Sequence, residues 1–207
     1  MNGQCVIFAG GEFCVPHGIE NADFVIACDF GYSYAVRCGI RPDLLVGDFD
    51  SYHGSLPAGI PRLDLPIEKD DTDTMAAVRY AVDRGFSELV LCCAMGGRLD
   101  HFLGNVQAAS FAAAHGLRVC MSDAENELLF LSRGEAEIPF CPDYSLSLLS
   151  LTDRCEDVCI HGVKYELDHA VLTNTFPIGI SNEWCGNAHL SVGRGVLLVL
   201  RSVMKEK

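Results

Sequence analysis

Residues 88–123 read ELVLCCAMGGRLDHFLGNVQAASFAAAHGLRVCMSD. An apolar run of strand length at 88–95 is followed, after two glycines, by an alanine-rich helical segment at 101–115 and by a second apolar run at 118–123. Two buried strands joined through a helix are typical of a parallel sheet, because parallel neighbours cannot be joined by a tight turn. The pattern therefore predicts an α/β domain whose sheet is covered on both faces.

The same alternation extends toward the amino terminus. Further predicted strands lie at 5–11, 24–29 and 44–46, and further predicted helices at 32–38 and 72–84. In the helix at 72–84, Met75, Val78 and Val82 share one face. Beyond residue 124 short strand-like runs are separated by Gly, Asp and Pro, and SLSLLSL at 145–151 alternates polar and apolar residues. We therefore expect two domains: an α/β domain over residues 1–125 and an all-β sandwich over residues 126–207.

Composition limits the classes of function. A net charge of −13 weighs against nucleic acid as a partner, because phosphate backbones are bound by Lys/Arg surfaces. We see no basic leader and no apolar window near the roughly 18 residues of a membrane span, so we expect a cytoplasmic protein. Eleven cysteines without a C-x-x-C pair indicate reduced structural thiols, which a reducing cytosol favours.

Acidic residues are concentrated in one segment. Between Asp43 and Asp73 there are seven aspartates and one glutamate, against one lysine and one arginine. GDFDS at 47–51 follows a strand, and KDDTD at 69–73 opens a helix. Carboxylates packed together repel one another, and Mg²⁺, which prefers carboxylate and phosphate oxygens, relieves that repulsion. The segment therefore favours a magnesium–phosphate site, while a solvated turn and an ordinary helix cap remain the alternatives.

A third motif, GGRLDH at 96–101, lies between a strand and a helix. Its glycines permit close approach of the backbone, the helix start offers N–H groups to an anion, and Arg98 suits phosphate. The alternative is a simple strand-to-helix turn capped by Asp100. The chain has no G-x-x-x-x-G-K-[ST], no G-x-G-x-x-G after the first strand, no H-E-x-x-H and no G-x-S-x-G.

Taken in order, the motifs go further than each does alone. The ordered set is Cys28-Asp29, Pro42-Asp43, GDFDS at 47–51, KDDTD at 69–73, GGRLDH at 96–101 and GISNE at 179–183. This series resembles the thiamine pyrophosphokinase family across nearly the whole chain. The resemblance implies a Rossmann-like catalytic domain, a β-sandwich domain and a homodimer, with thiamine between the catalytic domain of one chain and the β domain of the other. It also implies transfer of the diphosphate of ATP to the thiamine hydroxyl, with release of AMP.

The resemblance also assigns roles to residues. It implies that Mg²⁺ is bound by Asp48, Asp50 and Asp73. Nucleotide and phosphate contacts are implied for Asp29, Asp43, Lys69, Thr72, Arg98, Asp100, His101 and Asn105. Arg98, Asp73 and Asp100 become the catalytic group, in which Asp73 or Asp100 accepts the hydroxyl proton. Two departures from the family stand out: the bulky Phe30 and Tyr32 after Asp29, and the high cysteine count.

The predicted β domain would recognise thiamine. Ser181 and Asn182 would hydrogen-bond its aminopyrimidine, and Trp184 would stack on the cationic ligand. The alternative for Trp184 is a packed core aromatic. For the whole protein, the alternatives are a Mg²⁺-dependent phosphohydrolase, another diphosphotransferase, and a non-catalytic thiamine or nucleotide sensor.

Overall fold

A computed structural model describes residues 3–49, 52, 54, 57–63 and 71–204 of the protein. The chain divides into two compact units, Met1–Ala124 and Glu125–Lys207. Within the described residues, no helix is long and apolar enough to span a membrane.

The first unit is built on a parallel sheet. Its strands are β1 (Gln4–Phe8), β2 (Ala22–Cys28), β3 (Leu44–Val46), β4 (Arg62–Leu63), β5 (Glu88–Cys92) and β6 (Arg118–Ser122), and its helices are α1 (Gly31–Arg37), α2 (Asp73–Asp83) and α3 (Leu99–Ala114). The strand order is β6-β5-β1-β2-β3-β4, with parallel pairing throughout these neighbours. The chain moves from β1 to one side and later continues from β5 to the other, which is the topology that opens a ligand crevice at the carboxyl ends of the strands.

The helices of this unit pack through small side chains. α2 buries Thr74, Ala77, Val78 and Ala81, and α3 buries Asn105 together with four alanines. Of the face predicted for α2, only Val78 is buried, because the alanines between the larger residues pack closely and leave Met75 and Val82 half-buried at the flank.

The second unit consists of antiparallel strands. They are β7 (Asn126–Leu131), β8 (Gly134–Ile138), β9 (Tyr144–Ser150), β10 (Arg154–Val163), β11 (Leu167–Thr173), β12 (Gly179–Asn182), β13 (Trp184–Val192) and β14 (Leu197–Val203). They pair in the orders β12-β9-β14-β7 and β11-β10-β13-β8. One buried cluster includes Leu146 and Val199 from the first set and Ile160 and Leu190 from the second, so the two sets share a core.

Several strands of the second unit differ from the prediction. The run VCIHGVKYEL at 158–167 was predicted as one strand, but β10 ends at Val163 and β11 begins at Leu167. The short polar strands β8 and β12 were not predicted, and neither were β4 of the first unit and β11 beyond Leu167. β8, with the sequence GEAEI, buries only Ile138 and therefore lacks the apolar alternation that indicates a strand.

Candidate active site

A hollow of about 610 Å³ opens in the first unit where strands end and helices begin. Its lining combines glycine, thiol, hydroxyl, carboxylate, imidazole and amide groups from β1, β2, α2 and α3 and their adjoining loops. The lining residues are Gly10, Cys28, Asp29, Phe30, Thr72, Asp73, Thr74, Asp100, His101 and Asn105. The hollow therefore brings together two segments that were predicted separately, KDDTD and GGRLDH.

Two carboxylates meet beside Gly47, and the charge of a third acts on them. The carboxyl of Asp29 is hydrogen-bonded to that of Asp73, and the charge of Asp48 acts on the same group. A β-carbon on Gly47 would lie 2.1 Å from Asp29 Oδ1 and 3.3 Å from Asp73 Cγ, so only glycine leaves room for the pair. The residues come from the ends of β2 and β3 and from the start of α2.

The electrostatics of this cluster are unfavourable without a cation. Burial raises the pKa of Asp29 to about 7, helped by the hydrogen bond to Asp73 and by the charges of Asp73 and Asp48. A carboxyl that keeps its proton near neutral pH indicates that the site has more negative charge than its own hydrogen bonds stabilise. Hard oxygen ligands with this conflict match the requirements of Mg²⁺.

The backbone fixes Asp29 in place. Its φ of 43° lies in the left-handed region, its Oδ1 accepts a hydrogen bond of 3.0 Å from Phe49 N, and its own N donates to Val46 O at 3.1 Å. The Cys28 thiol donates to Asp73 O at 3.6 Å, which ties the end of β2 to the start of α2. The carboxylates are therefore held by separate elements and not by one flexible loop.

The other residues of KDDTD have local partners. Thr72 caps α2, since its Oγ1 accepts a hydrogen bond of 3.1 Å from Met75 N, and it also lines the hollow. Asp71 forms an ion pair of 2.9 Å with Arg79 and does not line the hollow. Lys69, predicted to bind the nucleotide, lies outside the described residues, as does Asp50, predicted to bind metal.

GGRLDH forms the turn from β5 into α3. Gly96 and Gly97 have φ values of 74° and 67°, which side chains rarely adopt. Exposed Arg98 contacts Asp100 at 2.5 Å, and this pair lowers the pKa of the Asp100 carboxyl. Asp100 and His101 line the hollow, whereas Arg98 lies beside it.

Glu12 is a member of this region that sequence reasoning missed. Its Oε1 accepts a hydrogen bond of 3.2 Å from Gly97 N, and a β-carbon on Gly96 would lie 2.7 Å from its carboxyl carbon. A single glutamate in a loop after β1 belongs to no motif, so only the paired glycines opposite it hinted at a close partner. Glu12 positions the glycine turn.

The side chains of Asn105 and Asp43 both form hydrogen bonds with the backbone. Buried Asn105 lines the hollow, and its Nδ2 donates to Ala94 O at 2.8 Å, which fixes α3 to the end of β5. Asp43 lies just before β3, at the end of the strand opposite Gly47, and its Oδ2 accepts from Val25 N at 2.9 Å. The structure does not bring Asp43 to the hollow, because its carboxylate closes the β2–β3 ladder.

The predicted thiamine residues lie in the second unit. Asn182 Oδ1 accepts hydrogen bonds of 3.0 Å from Tyr165 N and Glu183 N, and its Nδ2 donates to Tyr165 O at 2.8 Å. Most of the hydrogen-bonding capacity of this amide is thus used by the backbone. Ser181 is exposed, and its N donates to Ser147 Oγ at 2.9 Å.

Trp184 is half-buried. Its ring packs against the shared core of the second unit and meets Phe140 edge-on at 6.2 Å, and its Nε1 donates to Tyr144 O at 2.6 Å. These contacts agree with the packed-aromatic alternative for Trp184. They also fix the orientation of the indole ring.

Two models of known protein families match this chain. The family model described as "Thiamin pyrophosphokinase, catalytic domain" matches residues 15–121, and "Thiamin pyrophosphokinase, vitamin B1 binding domain" matches residues 137–197. The chain belongs to the thiamin pyrophosphokinase family. The predicted family and the predicted enzyme class, a diphosphotransferase, are thereby confirmed, and the hydrolase and sensor alternatives are not favoured.

Relatives of the thiamin pyrophosphokinase family agree in sequence and fold. The chain is 27% identical over 184 residues to the thiamine pyrophosphokinase of Bacillus subtilis (strain 168), covering 86% of each chain. It superposes on a crystal structure of thiamine pyrophosphokinase from Bacillus subtilis with a TM-score of 0.85 at 24% identity, over 98% of this chain and all of the other. The thiamin pyrophosphokinase of Candida albicans gives a TM-score of 0.71 at 12% identity, over 98% of this chain and 90% of the other. The last two show the shared fold.

Proposed function

We propose that the protein transfers the diphosphate of ATP to the hydroxyl of thiamine, giving thiamine diphosphate and AMP, in the hollow of the first unit. The observation that carries the proposal is the hydrogen-bonded pair of Asp29 and Asp73 beside Gly47, on which the charge of Asp48 also acts, in a chain that belongs to this family. In this proposal residues 1–125 form the catalytic, ATP-binding domain and residues 126–207 the thiamine-binding sandwich.

Magnesium is proposed at the three carboxylates. Asp48 and Asp73 were predicted as ligands, and the hydrogen bond between Asp29 and Asp73 adds Asp29 to the set. Bound there, the ion would neutralise charge on the transferred phosphates and hold them in line with the acceptor. With the ion bound, the proton shared by Asp29 and Asp73 is no longer needed to relieve their repulsion.

The start of α3 and its preceding turn suit the nucleotide phosphates. The first N–H groups of a helix point toward an anion, and Asp100 and His101 already line the hollow there. Arg98 is exposed and paired with Asp100, and a phosphate competes for the same planar guanidinium fork. We infer that Arg98 exchanges Asp100 for phosphate when ATP binds.

That exchange defines a role for Asp100. While Arg98 holds it, the pKa of the carboxyl is low and Asp100 is a poor proton acceptor. Release of Arg98 toward phosphate raises that pKa in the presence of substrate. Asp73 is proposed as a metal ligand, so of the two predicted acceptors we assign the hydroxyl proton to Asp100.

Thiamine recognition is proposed for the second unit. The exposed hydroxyl of Ser181 and the face of Trp184 are the groups offered to the ligand, whereas Asn182 shapes the loop that presents them. A homodimer is also proposed, supported by the apolar side chains of Phe176, Ile178 and Ile180, which are 68%, 49% and 49% exposed within one segment. Eleven free cysteines support a cytoplasmic location.

Product analysis tests the proposal. The protein is incubated with ATP, Mg²⁺ and thiamine, and nucleotides and thiamine esters are separated by chromatography. AMP and thiamine diphosphate in equal amounts, both lost when Mg²⁺ is chelated, are expected. ADP, or ATP breakdown that does not depend on thiamine, would reject the proposed reaction.

A further inference from the structure

A second group of side chains of the types that bind metal ions lies in the second unit. The ligating atoms of Asp157, Cys159 and His169 all lie within 4.8 Å of one another. Asp157 and Cys159 belong to β10, and His169 belongs to the neighbouring strand β11. A carboxylate oxygen, a thiolate sulfur and an imidazole nitrogen are the three ligand types that Zn²⁺ takes from proteins.

The strands are irregular where these side chains meet. The β10–β11 ladder shifts between Cys155 and Val158 and again between Val158 and Ile160. Asp157 and His169 both have left-handed backbone, with φ of 56° and 49°. A bulge of this kind redirects side chains at the expense of ladder hydrogen bonds.

A glycine leaves room for the redirected side chain. A β-carbon on Gly193 would lie 2.8 Å from Asp157 Cβ and 3.1 Å from its Oδ2. The local backbone and the bend at Gly193, just after β13, therefore both accommodate the position of Asp157.

The three groups already interact with one another. Asp157 Oδ1 is hydrogen-bonded to His169 Nδ1, and the Cys159 sulfur accepts a hydrogen bond of 3.3 Å from His169 N. Asp168 Oδ1 is 3.9 Å from the Cys159 sulfur and 3.7 Å from His169 Nε2. A carboxylate oxygen suited to be a fourth ligand thus lies close to Cys159 and His169.

We propose that Asp157, Cys159 and His169 bind a divalent transition-metal ion of the zinc class, with Asp168 or water as the fourth ligand. Tetrahedral zinc places its ligand atoms about 3.3–3.8 Å apart. The hydrogen-bonded Asp157 and His169 would therefore open, and atoms up to 4.8 Å apart would close by about 1 Å, both through side-chain rotation. Binding displaces the proton shared by Asp157 and His169 and the thiol proton of Cys159. The ion joins β10 to β11 at the place where their ladder is irregular.

A competing pair of histidines lies on the same sheet. His161 and His189 are cross-strand partners and, with Cys159, Asp168 and His169, line a shallow groove of about 530 Å³. Each has its own carboxylate: His161 Nδ1 is 3.4 Å from Glu166, and His189 Nδ1 is 3.9 Å from Glu137. Neither histidine–carboxylate pair includes a thiol. A thiolate-to-metal absorption band therefore distinguishes binding at Asp157, Cys159 and His169 from binding at these histidines.

Cobalt titration tests the assignment. The full-length, metal-free protein is titrated with Co²⁺ in excess Mg²⁺, which occupies the proposed carboxylate site. We expect one equivalent of Co²⁺ to give thiolate-to-cobalt charge-transfer absorption and the intense visible bands of a tetrahedral ion. Cys159→Ser should abolish the charge-transfer band, and Asp157→Asn and His169→Asn should weaken binding at least about tenfold.

Controls keep the result interpretable. Asn tolerates left-handed backbone, so both Asn variants retain the local conformation, and near-ultraviolet circular dichroism checks the fold of every variant. Cys185→Ser removes an exposed cysteine elsewhere in the unit and should leave the titration unchanged. Absence of the thiolate band in the wild type, or a band kept in His169→Asn and lost in His189→Ala, would overturn the proposal.

Discussion

The carboxyl of Asp29 is hydrogen-bonded to that of Asp73 beside the α-carbon of Gly47, although the two belong to different elements of the fold. Packing like-charged groups in this way costs folding free energy, and burial increases the cost. Such an arrangement persists where it serves binding or catalysis. The relationship therefore connects the fold of the first unit to its proposed diphosphate chemistry.

The stability of the metal-free protein should depend on the Asp29 proton. The folded-state pKa of about 7 lies above the ordinary value of 3.8, so the folded state binds the extra proton and its stabilising effect is lost as the pH rises toward and through about 7. We expect the melting temperature in chelator to fall by a few degrees between about pH 5 and about pH 8. Asp29→Asn should flatten that slope, and Mg²⁺ should restore stability most at the higher pH. An unchanged slope in Asp29→Asn would contradict this explanation.

Two glycine substitutions separate backbone strain from carboxylate geometry. Gly47 and Gly59 both have left-handed φ, 133° and 87°, but only at Gly47 does a β-carbon meet the Asp29 carboxylate, and at Gly59 nothing lies within 4 Å. Both alanine variants should lose about 1 kcal/mol of unfolding free energy through strain. Gly47→Ala should also lose at least about tenfold in turnover because Asp29 is displaced, whereas Gly59→Ala should retain turnover. Equal turnover in the two variants would argue against the cluster.

Substitutions of Asn182 and Ser181 should affect different properties, the first stability and the second thiamine binding. Asn182→Ala removes the amide that bonds Tyr165 N, Tyr165 O and Glu183 N, so we expect a loss of about 1–2 kcal/mol in denaturant unfolding. Ser181→Ala removes only an exposed hydroxyl, so its unfolding free energy should change by less than about 0.5 kcal/mol. Its effect should appear in the KM for thiamine. A raised KM in Asn182→Ala with unchanged stability would restore Asn182 as a direct ligand.

Trp184 provides a direct optical test of thiamine binding. It is the only tryptophan of the chain, and its indole is fixed by Tyr144 O and by the neighbouring core. Stacking of the cationic ligand on this ring should quench its fluorescence in a saturable manner. Fluorescence that does not change at saturating thiamine would instead favour the packed-aromatic role.

Much of the first unit was predictable because its strands are buried on both faces. Such strands appear as continuous apolar runs, and β3 was predicted with the bounds that the structure has. In the second unit the signal is weaker. β8 exposes most of its residues, and the turn between β10 and β11 lies inside an apparently continuous run.

The site was predictable only as separate motifs. GDFDS, KDDTD and GGRLDH were singled out from the sequence, but the hydrogen bond of Asp29 to Asp73 depends on how β2, β3 and α2 end against one another. The close bond between Glu12 and Gly97 likewise joins residues far apart in the chain. Asp43 shows the reverse case, since a carboxylate inside the acidic segment closes a ladder instead of facing the hollow.

The most direct test of the account compares two neighbouring aspartates. Asp73 belongs to the carboxylate cluster, whereas Asp71, two residues earlier, is paired with Arg79 and does not line the hollow. We would measure the rate of thiamine diphosphate and AMP formation in Asp73→Asn and Asp71→Asn. The account predicts a loss of at least about a hundredfold in Asp73→Asn and near-normal turnover in Asp71→Asn. Full turnover in Asp73→Asn would contradict the placement of the chemistry at this cluster.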